Sequence, residues 1–502
     1  MHIGLLLEMA ADGLGQRIAV GPLASGLSFA GLLSRARARA ALLAASPART
    51  LVYVGLNSPA FPLALFASAL ANRPFAPLNY RLPDADLRRL LARTAPALAI
   101  VDDDMLARVA GVEGVTCLPR SEFLAAAAPA ETGAEPVPAD AEDIAVLLFT
   151  SGTTGEPKAA VLRHRHLTSY VISTLEFMSA GEDEAALVSV PPYHIAAVSA
   201  VLTSTYLGRR VVHLENFTPE EWVRVAARER VTHAMLVPTM LGRVLDVLEA
   251  SGGQLPQLRH LSYGGGPMPA ATIERAMRCL PSVDFVNGYG LTETSSTIAV
   301  LTPEDHRRAF ASDDPDVRRR LGSVGRPLPS IELEIRDAGG HSVPAGQDGE
   351  VWVRGEQVSG EYLDRKAVRA DGWFPTKDYG WLDEGGFLFL GGRLDDVIVR
   401  GGENISPGEI EEVLRTHPDV RDAAVIGLPD DEWGERVAAV VVSNGAPHPD
   451  ELRRWCRERL RSTKTPEDIV YREALPYNET GKLLRRALKL ELAGASASRA
   501  AR

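Results

Sequence analysis

The stretch Thr150 to Lys158, TSGTTGEPK, gathers small hydroxyl residues, two glycines and one lysine. A string of this kind can hold phosphate. Glycine lets backbone N–H groups approach an anion closely. Hydroxyls add donors, and lysine adds a point charge. The apolar run Ile144 to Phe149 leads into it and reads as a buried strand. A flexible surface turn is the plain alternative for a Ser/Thr/Gly cluster. Two glycines and a lysine in fixed order after an apolar strand are more than a turn needs. Thr150, Ser151, Gly152, Thr153, Thr154 and Lys158 are therefore candidate phosphate ligands. The string is not a Walker A loop: Gly152 and Gly155 stand too close, and Pro157 precedes the lysine.

Further along, Asn287 to Thr294 reads NGYGLTET. A loop of this composition presents Tyr289 as a flat surface and Glu293 as a carboxylate. A nucleotide site needs a stacking face for its base and an oxygen ligand for Mg²⁺. Alone, a Gly-Tyr-Gly turn is a weak signal. The run Tyr263 to Pro267, YGGGP, holds Gly265 and Gly266 and leaves room for a group lying flat on the backbone, though a tight turn explains it equally well. Asp378 follows Thr376 and Lys377, and a carboxylate accepts hydrogen bonds from two hydroxyls at once. Lys482 lies on a glycine turn in LPYNETGKLLR, where a solvated lysine is the default. His194 in PPYHIAA is a lone histidine beside prolines, an arrangement more often structural than catalytic.

In this order, the motifs from residue 150 to residue 485 resemble those of the adenylate-forming superfamily: acyl-CoA synthetases, peptide-synthetase adenylation domains and firefly luciferase. The style is that of aryl- or medium-chain acyl-CoA ligases. The resemblance implies an AMP-forming acid–thiol ligase that uses ATP, Mg²⁺ and CoA. Carried over by position, it implies that Tyr289 stacks on adenine, Thr292 contacts the α-phosphate and Glu293 binds Mg²⁺. It gives Asp378 the ribose hydroxyls and Arg393 ribose or phosphate. Gly265 and Gly266 would line the adenine and acyl sites, and His194 would gate the acyl pocket. Gly401, Gly402 and Glu403 would help form the pantetheine tunnel. Asp395 would be the hinge of a mobile C-terminal domain, and Lys482 would bridge carboxylate and α-phosphate. Lys377 departs from the family's Thr-Gly-Asp triplet, which puts the local turn in question but not the acid.

The elements that must position these residues read as α/β. Ser28–Leu43, Ser58–Asn72, Ala196–Tyr206, Pro219–Arg230 and Pro238–Ala250 are helical in pattern. They alternate with short strands at 50–55, 98–101, 185–190, 210–214 and 233–237. Such alternation predicts mainly parallel sheets. From Val324 to Phe389, short alternating runs between Gly, Pro and Asp turns predict a β-rich subdomain. Beyond Asp395 lies an α+β module of about 100 residues. The expected division is a large N-terminal domain, 1–394, and a small mobile C-terminal domain, 395–502. The last dozen residues, rich in Ala, Ser and Arg, read as a frayed tail.

Composition narrows the rest. A net charge of -11 argues against a sequence-independent nucleic-acid binder. The three cysteines, Cys117, Cys279 and Cys456, show no metal spacing and no disulfide framework. No apolar run is long enough to span a membrane, and Met1 to Ala10 lacks a basic leader. A cytoplasmic enzyme, monomer or homodimer, is expected. The resemblance adds a contrast: peptide-synthetase adenylation domains carry an aspartate shortly after the gating residue to pair an α-ammonium, whereas here His194 is followed by Ile195, Ala196, Ala197 and Val198, with no acid. An unpaired ammonium there would be costly, so an aryl or medium aliphatic carboxylic acid is expected rather than an α-amino acid. Two rival readings stand: an acyl-AMP ligase that loads an acyl-carrier protein, and a nucleotide-binding protein without catalysis.

Overall fold

The apolar run at 144–149 forms the strand Ile144–Thr150, and the chain returns antiparallel as Lys158–Arg163, pairing Thr150 with Lys158. The computed structural model describes residues 1–125, 139–150, 157–401, 403–430, 432–445, 447–477 and 483–500. Ser151, Gly152, Thr153, Thr154, Gly402 and Lys482 lie outside the described residues.

That hairpin edges a sheet running Val115–Pro119, Ala97–Val101, Thr50–Val54, Phe75–Pro77, Ile144–Thr150, Lys158–Arg163, parallel except at the hairpin. A second sheet runs Arg326–Pro327, Ser296–Leu301, Asp284–Leu291, His260–Gly264, His233–Leu236, Ala185–Val188, Arg210–His213, Ile18–Val20, Leu27–Ser28. It is parallel from Asp284–Leu291 to Ile18–Val20. Parallel strands need crossover connections, and the helices between them supply these. The helices Phe29–Ala45, Ala60–Leu70 and Ile195–Leu207 are packed between the two sheets in one core with Leu51, Tyr53, Val188 and Val211. Every residue of Ala60–Leu70 is buried, as a helix apolar on all sides requires. The helices Pro219–Arg228, Pro238–Ser251 and Ala270–Cys279 cover the far face of the second sheet around Trp222.

The β-rich segment is an antiparallel sheet, Glu332–Arg336, Gly349–Arg354, Phe374–Leu382, Leu388–Arg393. Its core includes Tyr289 and Ile298 of the second sheet. After the turn Leu394–Asp396 comes a separate α+β unit. In it Val420–Asp430 and Gly434–Ser443 pair along their length, and the helices Pro407–Arg415 and Pro449–Arg457 pack on one face around Ile410 and Leu452. Among the described residues, no helix is long and apolar enough to cross a membrane.

Two expectations change. NGYGLTET is not a loop: Asp284–Leu291 is a strand, and only Thr292–Thr294 is a turn. Its glycines serve the sheet. A Cβ on Gly290 would lie 1.8 Å from the Ser296 carbonyl oxygen, and one on Gly264 would lie 2.2 Å from that of Gly288. The Gly401 turn closes a hairpin between Ile398–Arg400 and Glu403–Ile405. The expected frayed tail continues as the helix Arg485–Ala500, anchored by Leu488 and Leu492.

Candidate active site

The phosphate-binding candidates described lie at the end of the 144–163 hairpin where the chain turns back, Thr150 facing Lys158. The Thr150 hydroxyl donates to the Lys158 carbonyl at 3.4 Å, and Lys158 opens the return strand, half-buried. The outer edge of that strand is not free. Tyr362 bridges Ala160, the Val161 N–H donates to Glu361 O at 2.9 Å, and the Leu363 N–H donates to Ala159 O at 3.1 Å. Arg163 holds the Glu361 carboxylate at 2.7 and 2.9 Å, a bidentate pair. The segment 359–363 is thus registered against the strand that carries Lys158.

The same segment grips the second motif. The N–H groups of Ser359 and Gly360 donate to the main-chain oxygen of Glu293 at 2.8 and 3.0 Å. The Tyr362 hydroxyl donates to Glu293 Oε1 at 2.6 Å. Gln357 Nε2 donates to the carbonyls of Thr294 and Thr297 at 3.0 and 2.8 Å. These contacts hold a turn in which Ser295 and Ser296 both have positive φ, 57° and 116°. Two consecutive non-glycine residues in that region persist only where surrounding structure over-determines them. Glu293 is 8 % exposed, and Thr292, which opens the turn, is half-buried.

Behind the turn lies a second polar cluster. The Tyr289 hydroxyl donates to Asp378 Oδ2 at 2.6 Å, and Arg393 Nε stands 3.1 Å from Asp378 Oδ1. Arg393 also donates to the Thr376 carbonyl at 2.9 Å. Burial, then the Asp378 charge, hold the Tyr289 pKa well above its ordinary value, so the hydroxyl stays a donor. Burial alone would lower the Arg393 pKa. Asp378, Tyr289, Glu293 and Asp396 around it reverse that, and the net shift is upward. One cation therefore sits among the acids of both clusters. Lys377, between Thr376 and Asp378, has φ 65°. That is the left-handed conformation a glycine adopts without strain, held here by an L-residue. The Lys377 ammonium stands 3.2 Å from Glu350 Oε1.

The YGGGP strand end is fixed from below. The Tyr263 hydroxyl meets His306 Nε2 at 2.8 Å, and His306 Nδ1 meets the Thr302 carbonyl at 2.8 Å. Gly265 has φ 79° and is exposed, while Gly266 is half-buried. His194 caps the helix Ile195–Leu207, its Nε2 buried with no hydrogen-bond partner. Burial, then the Arg81 charge, lower its pKa to about 4, so it is a neutral imidazole. Asn57 ties the preceding loop through the Val190 carbonyl at 2.8 Å, and Ser199 meets Ser296 at 3.2 Å, joining this helix to the Glu293 turn.

Thr150, Lys158, Glu293, Tyr289, Asp378 and Arg393 are therefore linked through a few named bonds. Gly401 and Glu403 stand apart. Among the described residues, no hydrogen bond or ion pair joins them to this group, and the Gly401 N–H donates to the Trp433 carbonyl at 2.8 Å. Asp395 is exposed on the turn between the two units, and its neighbour Asp396 faces Arg485 at 3.6 Å. Sequence reasoning missed Tyr362, Gln357 and Glu361. They stand among Gly, Ser and charged residues with no periodic pattern, so no sequence signal marks them.

The donor set suits Mg²⁺ held together with phosphate. Mg²⁺ usually keeps several waters and binds one or two carboxylates plus substrate phosphates. Among the described residues no group of three or more His, Cys, Asp or Glu side chains could hold a metal ion by itself. Glu293 offers one buried carboxylate, with Oε1 taken by Tyr362 and no described residue bonded to Oε2.

Comparison with known proteins gives a consistent result. The AMP-binding enzyme family model matches residues 7–363, and the AMP-binding enzyme C-terminal domain model matches residues 409–482. The chain is 35% identical over 450 residues to a feruloyl-CoA synthase of Amycolatopsis sp, covering 88% of each chain. Among solved structures it is similar to an amide bond synthetase from Marinactinospora thermotolerans (TM-score 0.86, 29% identity, 98% of this chain and 99% of that one). It is also similar to the o-succinylbenzoate CoA synthetase from Bacillus subtilis in complex with its acyl-adenylate intermediate (TM-score 0.83, 29% identity, 96% and 97%).

Proposed function

We propose, from the premise that this chain belongs to the AMP-binding enzyme family and is an AMP-forming acid–thiol ligase, that it converts an aryl or medium aliphatic carboxylic acid to its CoA thioester. The observation that carries the proposal is the linked arrangement of Lys158, Glu293, Tyr289, Asp378 and Arg393 on adjoining sheet ends. It brings cations and carboxylates that can accept from hydroxyls or a metal into one bonded group. Similarity to a feruloyl-CoA synthase and the apolar run after His194 support an aromatic acid.

In the proposed reaction the carboxylate oxygen attacks the α-phosphorus of ATP, and the bond to the pyrophosphate oxygen breaks. The mixed anhydride with AMP forms and pyrophosphate leaves. A thiol sulfur then attacks the acyl carbon, its proton goes to solvent, and AMP leaves with the anhydride oxygen. Two anions meet in the first step, so preorganised positive charge at the developing phosphate charge is what accelerates it. When bound, Mg²⁺ supplies Lewis-acid neutralisation of phosphate charge. Lys158 holds phosphate beside the hydroxyl loop. Asp378 takes the ribose hydroxyls, its rotamer fixed by Tyr289 and Arg393. Tyr289 offers its ring to adenine, Thr292 binds the α-phosphate, and Gly265 and Gly266 let the nucleotide lie against the backbone. His194, neutral and buried, borders the acyl group. Lys482 bridges carboxylate and α-phosphate in the first step, and Gly401, Gly402 and Glu403 line the thiol's approach in the second. We place the domain boundary at 394/395, with Asp395 as the hinge between the two steps.

The test of the first half-reaction is acid-dependent exchange of labelled pyrophosphate into ATP without any thiol. Lys482→Ala is expected to abolish exchange while a non-hydrolysable ATP analogue still binds. Undiminished exchange would remove the lysine's role. A second reading, transfer to a carrier-protein thiol, is favoured by 30% identity to a fatty acid–[acyl-carrier-protein] ligase, and free CoA would then fail to discharge the adenylate.

A further inference from the structure

Glu293 is held at both ends by one short segment. Its main-chain oxygen accepts from the N–H groups of Ser359 and Gly360, and its Oε1 accepts from the Tyr362 hydroxyl at 2.6 Å. Tyr362 is fixed in turn by strand pairing with Ala160, two residues beyond Lys158, and by the Glu361–Arg163 pair. Lys158, Tyr362 and Glu293 thus form one mechanical unit. Tyr362 is only half-exposed, and its hydroxyl is the donor in this bond. The carboxylate is left with one engaged oxygen and one oxygen toward which no described residue bonds. The charged groups facing this pair are Arg393 and Arg365.

We propose that Tyr362 is the positioning residue for the divalent cation that accompanies ATP: its hydroxyl locks the Glu293 carboxylate so that a single oxygen, Oε2, is presented to the metal. The inference rests on the proposed role of Glu293 as metal ligand. Mg²⁺ demands near-ideal octahedral geometry, whereas Ca²⁺ tolerates irregular sites. Loss of a partner that orients a metal ligand typically weakens metal affinity about 10–100-fold. Removing the hydroxyl should therefore weaken Mg²⁺ more than Ca²⁺ and leave metal-free nucleotide binding alone.

The experiment is calorimetric titration of the full-length protein with the α,β-methylene analogue of ATP, in Mg²⁺, in Ca²⁺ and in EDTA. For the wild type, the affinity gained on adding Mg²⁺ is the reference. Tyr362→Phe is expected to lose about 10-fold or more of that gain, less of the Ca²⁺ gain, and none of the EDTA affinity. Glu293→Gln should lose the gain with both metals. Glu361→Gln, which disturbs the segment but keeps the hydroxyl, should retain it; loss there equal to Tyr362→Phe would overturn the proposal in favour of a structural role. So would equal weakening of Tyr362→Phe with and without metal. If Glu293→Gln loses the Mg²⁺ gain and Tyr362→Phe keeps it, the inference fails and the role of Glu293 stands. If Glu293→Gln keeps it, the role of Glu293 itself is wrong and the inference falls with it.

Discussion

The Tyr289–Asp378 contact can be broken with a single atom. Tyr289→Phe deletes the hydroxyl that donates to Asp378 Oδ2 at 2.6 Å and leaves the ring in the core with Ile298 and Val351. Asp378 keeps Arg393 at 3.1 Å, so the carboxylate is not left without a partner. A hydrogen bond to a charged group contributes about 1.5–3 kcal/mol. That is the expected coupling between Tyr289→Phe and Asp378→Ala in a double-mutant cycle, because the cost of unpairing Arg393 appears on both sides of the cycle and cancels. The assay is urea unfolding followed by tryptophan fluorescence. Trp352, Trp373 and Trp381, half of the six tryptophans, lie on or beside the antiparallel sheet that carries Asp378 and report on it directly. The sign of the pH dependence also follows. The unfolded tyrosine loses its proton near pH 10, whereas folded Tyr289 keeps it to higher pH. The contribution is therefore complete below pH 10 and is lost as pH rises through the folded pKa. A coupling below about 0.5 kcal/mol, the level at which independent sites add, would refute the reasoning, and with it the claim that Tyr289 fixes the Asp378 rotamer.

Other expectations follow from the same geometry. Gly290→Ala puts a methyl 1.8 Å from the Ser296 carbonyl oxygen, so the Glu293 turn must move; soluble yield or melting temperature should fall sharply, and a melting temperature within a degree of wild type would contradict the close approach. Acidification should destabilise the protein. Burial lowers the pKa values of His164, His194, His213 and His306 to about 4, while the unfolded histidines take up protons near pH 6.5, so stability is full above pH 6.5 and falls toward pH 4. A melting temperature unchanged between pH 7.5 and 5 would count against those burials. Asp395→Pro should spare adenylate formation, read by pyrophosphate exchange, and slow thioester formation at least tenfold; equal loss of both steps would remove the hinge.

Much of the fold was legible because its signals are local. Helices such as Pro219–Arg228 and Pro238–Ser251 start at Pro after Thr218 and Val237, and Gly252 closes the second with φ 61°. Buried parallel strands such as Thr50–Val54 read as short apolar runs. What failed was non-local. NGYGLTET reads as a loop because its glycines suggest a turn, yet they are there because Ser296 comes too close for any side chain at Gly290. Nothing local marks Lys377 as standing at φ 65° with its ammonium beside Glu350. Tyr289, Glu293 and Asp378 were singled out by residue type and setting, and Arg393 by resemblance alone. Tyr362 was not, because its importance comes from pairing with a strand about 200 residues earlier, and a separation of that size leaves no trace in local pattern.

All products of the reaction can be followed at once, with ATP, Mg²⁺ and CoA and a panel of benzoates, cinnamates and C4 to C12 acids. An acid–thiol ligase gives acid-dependent turnover to AMP, pyrophosphate and acyl-CoA in equal amounts, here best with an aromatic or medium aliphatic acid. ADP and phosphate as products, or a better rate with an α-amino acid than with any simple acid, would contradict it.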